Sequence, residues 1–419
     1  MNPFPRFLRV RQNFPATTPP DIEATIAAEF AKLLPHLRPD ARIAVGVGSR
    51  GITRLADIIA AVLAQLRSAG AQPFIIPAMG SHGGATPDGQ REVLASYGVT
   101  ESAMGAPILA SLETRQIGVT SEGVPVFCST DALEADGIVL VNRIKPHTDF
   151  FGALGSGLVK MSVIGLGKRD GATAMHHAAM HHGYERVIRS MAAVMLRSAP
   201  VLAGVAILEN QFHDTARLIA LPRGEIEAAE DVLLAESRTL MPLLPFEEMD
   251  LLIVDRIGKN ISGAGMDPNV TGRSIHGYSS MLARDDRPAP FVRRIFVRGL
   301  TPETHGNAIG IGMADFTTTR LVHAMDRRAT FINSLTAMTP QSAKVPIHFD
   351  TDREALDLAL DSLSLPEHQA ARIVRIADTL SLAEFEISES LAPEVRRHTG
   401  LIVLDEPRAI VFGADGNLP

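Results

Sequence analysis

Short apolar runs that alternate with helical patterns constrain the fold of this chain most strongly. In the first half, four runs of strand length predict buried strands at 41–48, 72–78, 137–144 and 201–209. Amphipathic helical patterns lie between the runs, for example at 54–68, where Gly70 follows as a helix stop. Strand and helix in alternation are typical of a mostly parallel sheet that is covered by helices on both faces. We therefore predict an α/β fold.

The length of 419 residues predicts two α/β domains of this kind. A second series of strand and helix patterns begins near Met249, and it includes a helix predicted around 316–325. We place the boundary just after the acidic helix predicted at 225–241, which gives an N-terminal catalytic domain over 1–245 and a C-terminal domain over 246–399. A last predicted strand at 408–412 suggests that residues 400–419 complete the first domain.

The composition excludes several classes of protein. The apolar fraction of 46% and the charged fraction of 21% are ordinary for a soluble globular protein, and the net charge of -7 argues against nucleic acid as a partner. The single cysteine, Cys128, cannot form an internal disulfide, which fits a reducing compartment. Neither a signal-peptide core nor an apolar run of about 18–20 residues is present. We expect a cytoplasmic protein with a small-molecule partner, and a homodimer is compatible with the sequence.

Basic side chains follow three of the predicted strands. Arg50, His82 and His147 each stand just beyond the carboxyl end of a strand, among glycines and prolines. In open α/β sheets, ligands bind outside the carboxyl ends of the strands. Imidazole exchanges protons near neutral pH, so two histidines at neighbouring strand ends suggest a facing acid/base pair. The alternative for each is a structural loop histidine that bonds a backbone carbonyl. Asp149 is near enough in sequence to orient the ring of His147.

A lysine and a histidine cluster follow in the chain. Lys160 stands among apolar neighbours after a glycine-rich stretch, where desolvation would make its amine chemically useful, although a snorkelling surface lysine is the alternative. The run MHHAAMHHG contains His176, His177, His181 and His182. Residues His177 and His181 share a helix face and could chelate a metal, but no HExxH or CxxC supports a zinc hydrolase. A polar helix face is the competing interpretation.

Two glycine-rich segments carry weaker signals. GLGKRDGA, over 165–172, matches neither the GxGxxG nor the P-loop pattern, and no GxGxxG follows the first strand, which argues against a nicotinamide dehydrogenase. SGAGMDPNVTGRS, over 262–274, contains Arg273 and is either a ligand-facing loop or a run of turns.

Taken in order, these strings resemble the nickel-pincer-nucleotide-dependent lactate racemase family. SRG at 49–51 resembles the family's Thr-Arg-Pro, GSHGGATPDGQ resembles its Gly-x-His-Arg-Pro-x-Thr, and PHTDFFGALGSGLVK resembles its Pro-His followed by glycines and a lysine. The resemblance spans roughly residues 40–320. It implies two α/β domains with the cofactor in the cleft between them, and the racemisation or epimerisation of a 2-hydroxy acid by reversible hydride transfer.

The resemblance also implies a role for each matching residue. Arg50 would bind the substrate carboxylate, and His82 and His147 would be the two acid/bases. Lys160 would carry the nickel-pincer nucleotide as a covalent thioamide. The family's nickel ligand lies 16 positions after that lysine, which selects His176, with His177 as the fallback.

Three departures concern the family pattern. Gly51 replaces the proline after the substrate arginine, and the stretch between His147 and Lys160 is slightly longer. The second domain lacks an obvious counterpart of the family's Gln and Lys that contact the substrate, so Arg273 is our candidate there. Two other functions stay open: a metal-dependent lyase or hydrolase that uses the histidine cluster, and a non-catalytic protein that binds a sugar acid or nucleotide.

Overall fold

The structure, a computed structural model, describes residues 4–15, 17–33, 37–48, 51–80, 82–148, 150, 152–275 and 290–419. The chain divides into two compact units. One is Thr17–Met241, and the other combines Met1–Ala16 with Pro242–Pro419. We refer to them as the 17–241 unit and the 242–419 unit, the latter including the first 16 residues.

The described strands and helices follow one another along both units. The strands are β1 (Phe7–Gln12), β2 (Arg42–Val47), β3 (Gln72–Pro77), β4 (Thr114–Val119), β5 (Pro125–Ser129), β6 (Gly137–Arg143), β7 (Val201–Glu209), β8 (Thr215–Pro222), β9 (Glu248–Ile257), β10 (Phe291–Leu300), β11 (Phe316–Thr318), β12 (Ile347–Phe349), β13 (Ile373–Ile376), β14 (Glu384–Ser388) and β15 (Leu401–Val403). The helices are α1 (Ile22–Phe30), α2 (Leu55–Ser68), α3 (Pro87–Ser96), α4 (Glu101–Met104), α5 (Thr130–Leu133), α6 (Leu158–Lys160), α7 (Lys168–His182), α8 (Tyr184–Ser198), α9 (Ile226–Thr239), α10 (Pro268–Thr271), α11 (Thr319–Ala324), α12 (Arg327–Thr336), α13 (Asp352–Asp361) and α14 (Ala392–Val395).

The described part of the 17–241 unit is built on a sheet in the order β3-β2-β6-β7-β8. All neighbouring pairs are parallel except β7 with β8. The central strands are buried along nearly their whole length, as continuous apolar runs require when both faces of a sheet are covered. One apolar core includes side chains of α1 and α2, and a second includes side chains of α7, α8 and α9. The prediction of a mostly parallel α/β sheet is confirmed.

The described part of the 242–419 unit contains a sheet in the order β12-β11-β10-β9-β13-β14-β1-β15. The pairs from β12 to β13 are parallel, and those from β13 to β15 are antiparallel. Parallel β9 and β10 are the long, buried centre of this sheet, and α13 packs its apolar side chains against one face.

The division into units differs from the predicted one at both chain ends. β1 pairs with β14 and β15, so the first 16 residues lie in the 242–419 unit and not in the first domain. Residues 400–419 also belong to the 242–419 unit and do not complete the first. Instead of the strand predicted at 408–412, an isolated bridge joins Arg408 to Phe7. The pairing of β1 with distant strands explains these corrections, because local patterns do not reveal it.

Strand β11 and the hairpin β4–β5 are two further features that differ from the sequence-based predictions. The helix predicted around 316–325 begins with the short strand β11, which adds to the parallel part of the sheet, and only 319–324 is helical. No sequence pattern predicts the antiparallel hairpin β4–β5. Within the described residues, no helix is long and apolar enough to span a bilayer.

Candidate active site

Three strand ends of the 17–241 unit lie side by side. The pairing of Val47 with Pro77 and with Val141 aligns the carboxyl ends of β2, β3 and β6 at one edge of the sheet. Neighbouring strands are about 4.8 Å apart, so β3 and β6 flank β2 at roughly 10 Å from each other. The loops that carry His82, Arg50 and His147 therefore leave the sheet at the same edge, with the arginine loop in the middle.

The loop after β3 is held by the helix that follows it. Thr86 caps α3 by accepting a hydrogen bond from the amide of Gly89 at 3.1 Å, with Pro87 at the first helical position. The carbonyl of His82 accepts from the amide of Ala85 at 3.2 Å. His82 is half-buried. The backbone that carries this ring at the sheet edge is thus fixed on its C-terminal side.

The loop after β6 brings His147 and Lys160 together. Lys145 and Ser156 exchange backbone hydrogen bonds, which closes the base of the loop between them. His147 is buried, with 7% of its surface exposed. The amine of Lys160 hydrogen-bonds Nε2 of His147 and lies 3.4 Å from Oγ of Ser156. An ammonium has only donors, so a protonated Lys160 requires Nε2 of His147 to accept.

Aromatic rings connect His147 to His176. Phe150 stacks on His147 at 4.3 Å between ring centroids, and Tyr184 stacks on Phe150 at 5.3 Å. Tyr184 meets the ring of His176 edge-on at 6.2 Å. His176 is half-buried, whereas His177 is exposed on another side of α7. Tyr184, which the sequence analysis did not single out, is therefore the ring that bridges the two predicted site histidines.

A buried carboxyl group binds the start of α6, the short helix that contains Lys160. Glu230, fully buried on α9, accepts a hydrogen bond from the amide of Val159 at 2.9 Å and another from Leu158. A Cβ at Gly157 would overlap the Glu230 carboxyl group, so only glycine fits there. Burial raises the pKa of Glu230 to about 7, against the opposing effect of these amide donors. The hydrogen bonds to Glu230 on α9 thereby fix the first turn of α6, the helix that ends at Lys160.

The segment after Lys160 packs onto the strand ends. Met161–Gly165 forms a π-helical turn, a departure from regular helix that often occurs at functional sites. A Cβ at Gly165 would stand 2.8 Å from the carbonyl oxygen of Ala78, and one at Gly80 would stand 3.1 Å from Ile164. Glycines on both sides permit this close approach. The lysine segment therefore lies directly against the end of β3, close to the His82 loop.

Two predicted participants lie outside the described residues, namely Arg50 and Asp149. The neighbour of the first is described: the carbonyl of Gly51 accepts a hydrogen bond from Nη1 of Arg143 at 3.2 Å, and Arg143 also forms an ion pair with the buried Glu209. The chain next to Arg50 is thus anchored to the ends of β6 and β7.

Arg273 is engaged within the 242–419 unit. Its side chain is 4% exposed, and its guanidinium donates to both carboxylate oxygens of Asp315, at 2.7 and 3.3 Å. It also donates to the backbone carbonyls of Val292 and Arg293. These contacts hold the guanidinium within its own unit, and the proposed role of Arg273 towards the substrate stays a prediction.

The donors of the histidine cluster do not converge on a metal site by themselves. His181 and His182 lie on the exposed end of α7, with their ring centroids 6.5 Å apart. Among the described residues, no group of three His, Cys, Asp or Glu side chains could hold a metal ion. A metal near His176 would therefore need most of its donors from a source other than the described side chains.

Known proteins resemble this chain in sequence and in fold. Residues 29–187, which include His82, His147, Lys160 and His176, match the family model described as the lactate racemase N-terminal domain. The structure is similar to the lactate racemase apoprotein from Thermoanaerobacterium thermosaccharolyticum, with a TM-score of 0.52 and 14% identity over 90% of this chain and 99% of that chain. It is also similar to a protein from Thermotoga maritima, with a TM-score of 0.50 and 12% identity over 84% and 92% of the two chains.

At these identities the structural likeness shows the fold alone. No curated protein matches the sequence. The family model and the shared fold together confirm the resemblance to the lactate racemase family that the motifs indicated.

Proposed function

We propose that this chain, which resembles the lactate racemases in its N-terminal motifs and in its fold, is a racemase or epimerase of a 2-hydroxy acid. One observation carries the proposal: the Lys160 amine hydrogen-bonds the imidazole of His147, and two stacked rings followed by one edge-on contact lead from there to His176. A catalytic histidine, an amine for covalent attachment and a metal-ligand histidine are what the proposed activity needs in one place.

The donor set fits a nickel-pincer nucleotide. Lys160 offers an amine for covalent attachment, and His176 offers one half-buried imidazole from α7. A cofactor that brings its own sulfur and carbon donors needs only one protein ligand, whereas a zinc or iron enzyme needs about three. The described residues offer no group of three, which favours the cofactor over the metal-dependent lyase or hydrolase.

The nickel-pincer nucleotide would supply a ring that accepts the C2 hydrogen as hydride and returns it to either face of the bound 2-oxo acid. This chain's residues handle the proton and the charge. The C2 hydrogen is poorly acidic beside a carboxylate, so it would leave as hydride and not as a proton. The hydroxyl group must lose its proton at the same time, because the product is a 2-oxo acid. His147 would take that proton from one enantiomer, and His82 would take it from the other.

Two further residues would set the conditions for this proton transfer. Arg50 would hold the substrate carboxylate, ideally through two hydrogen bonds, and so fix which side of C2 faces each histidine. Lys160 attached through its amine would no longer carry a positive charge. Because a neighbouring cation lowers the proton affinity of an imidazole, this attachment would leave His147 a better base.

Racemisation of a 2-hydroxy-acid panel tests the proposal. Protein made together with the cofactor's biosynthetic enzymes should interconvert the enantiomers of at least one acid. His82→Ala and His147→Ala should each abolish turnover and leave the circular dichroism spectrum unchanged. His181→Ala, which removes an exposed histidine of the same unit, is the control and should stay active. Turnover retained in either site variant would contradict the two-base scheme.

Cofactor attachment and substrate binding have separate readouts. Lys160→Ala should lack the mass adduct that intact-mass measurement shows for the loaded protein. Arg50→Lys should raise KM markedly, and an unchanged KM would remove Arg50 from the site. Binding of a 2-hydroxy acid with no exchange at C2 in loaded protein would instead indicate a non-catalytic binding protein.

A further inference from the structure

Lys168, in the glycine-rich GLGKRDGA segment, is a buried lysine that the proposed function does not use. Only 1% of its surface is exposed. It begins α7, and its φ of 52° lies in the left-handed region, so the chain changes course at this residue. Its Nζ donates to the carbonyl of Pro77 at 2.6 Å and to Oε1 of Gln90 at 3.3 Å. Both partners are neutral.

Gln90 extends this contact along the end of β3. It is fully buried on α3, and its Nε2 donates to the carbonyls of Met79 and Gly80 at 3.2 and 3.3 Å. Together, Lys168 and Gln90 bind three carbonyls of the segment that ends two residues before His82. The backbone on the other side of His82 is held by the capped start of α3. The His82 loop is therefore clamped on both sides, and Lys168 is the part of the clamp that comes from α7.

Stability alone does not explain a lysine at this position. Burial lowers the pKa of Lys168 to about 8, although the negative charge of Asp131 acts in the opposite direction. The fold thus disfavours the ammonium, and an apolar side chain of the same length would fill the space without that penalty. What an apolar side chain could not supply is the donor that reaches Pro77 from α7.

We propose that Lys168 is a positioning residue that ties the strand end leading to His82 to the start of α7, the helix that carries His176. It would keep His82, a proposed acid/base, at a fixed position relative to His176, the proposed metal ligand. The catalytic consequence rests on the proposed function, but the mechanical coupling between the two segments does not.

Hydrogen exchange on the full-length apoprotein tests the coupling. In Lys168→Met, the amides of 78–80 and 82–85 should exchange about tenfold faster, while those of β6 and β7 keep their rates. Gln90→Met should produce the same local pattern, and the double variant should add little, because both residues act on one clamp. Lys32→Met, which removes an exposed lysine of the same unit, is the control. Unchanged rates at 78–85, or faster exchange throughout the unit, would overturn the proposal.

Single-turnover measurements with each enantiomer test the consequence. The measured rate is that of the first half-reaction, in which the bound 2-hydroxy acid becomes the 2-oxo acid. Lys168→Met should lower this rate roughly 10- to 100-fold for the enantiomer whose hydroxyl proton His82 takes, with the substrate dissociation constant nearly unchanged and the other enantiomer less affected. Equal loss for both enantiomers would mean a general structural role and would refute the positioning role. If the wild-type protein racemises nothing, the proposed function fails, whereas the exchange experiment still decides whether Lys168 couples the two segments.

Discussion

Replacing Glu230 with glutamine should change how the stability of the protein depends on pH. Burial raises the pKa of Glu230 from 4.5 to about 7 in the folded protein. Below pH 4.5 both states hold the proton and the site has no effect. As the pH rises from 4.5 to 7, the unfolded chain loses this proton while the folded protein still holds it, so stability is lost progressively over this range. At about 1.4 kcal/mol per pKa unit, the loss is about 3 kcal/mol above pH 7.

Glu230→Gln keeps a neutral acceptor for the amide of Val159 and cannot ionise. Its free energy of unfolding, relative to the wild type, should therefore increase by about 2–3 kcal/mol between pH 5 and pH 8. Urea denaturation followed by circular dichroism measures this, since the chain has no tryptophan, and exchange of the β7 amides assigns the transition to the 17–241 unit. Glu236→Gln is the control, because Glu236 lies near the surface of the same helix beside Arg217. Wild-type and Glu230→Gln curves that run parallel within about 0.5 kcal/mol would refute the burial argument.

Three further substitutions test the packing around the site and in the other unit. Gly157→Ala places a Cβ on the Glu230 carboxyl group and should destabilise the protein by about 1–3 kcal/mol in urea denaturation, whereas an unchanged midpoint would show that α6 can shift. Tyr184→Leu removes three ring contacts and should lower the free energy of unfolding by about 1–3 kcal/mol, and Tyr184→Phe, which keeps the ring, should restore most of it. Asp315→Asn leaves the buried Arg273 without its carboxylate and should destabilise the 242–419 unit by about 3–5 kcal/mol, which its thermal unfolding would reveal.

The central strands of the 17–241 unit were predictable because they are buried on both faces. A strand of this kind must be apolar along its whole length, and turn residues mark its ends. The run predicted at 201–209 coincides with β7, and those predicted at 72–78 and 137–144 extend one residue beyond β3 and β6. Because parallel strands end at one edge, the same patterns also predicted which loops could carry chemistry.

Pairings between distant segments were not predictable in this way. The short strand β1 has no partner near it in sequence, and its antiparallel contacts with β14 and β15 decide to which unit the first 16 residues belong. The same limit applies to the site. A tyrosine after a histidine-rich helix carries no local sign that it contacts the rings of His147 and His176, and a glutamate in an acidic helix carries no local sign that it binds the segment of Lys160. Only the tertiary fold brings Tyr184 and Glu230 to these places.

Two buried ionisable groups of opposite charge hold the two ends of the segment that carries Lys160. Glu230 accepts hydrogen bonds from the amides at the start of this segment. Lys168, at the other end of the segment, donates to the end of β3. Burial shifts the pKa of each towards its neutral form, to about 7 and about 8, so each is disfavoured by the fold in its charged state. Uncharged or apolar side chains would serve stability better at both positions. The cost is understandable if the placement of the segment matters more than its stability, because the proposed transfer of a hydride and a proton requires the participating groups to keep their positions to within about 0.5 Å.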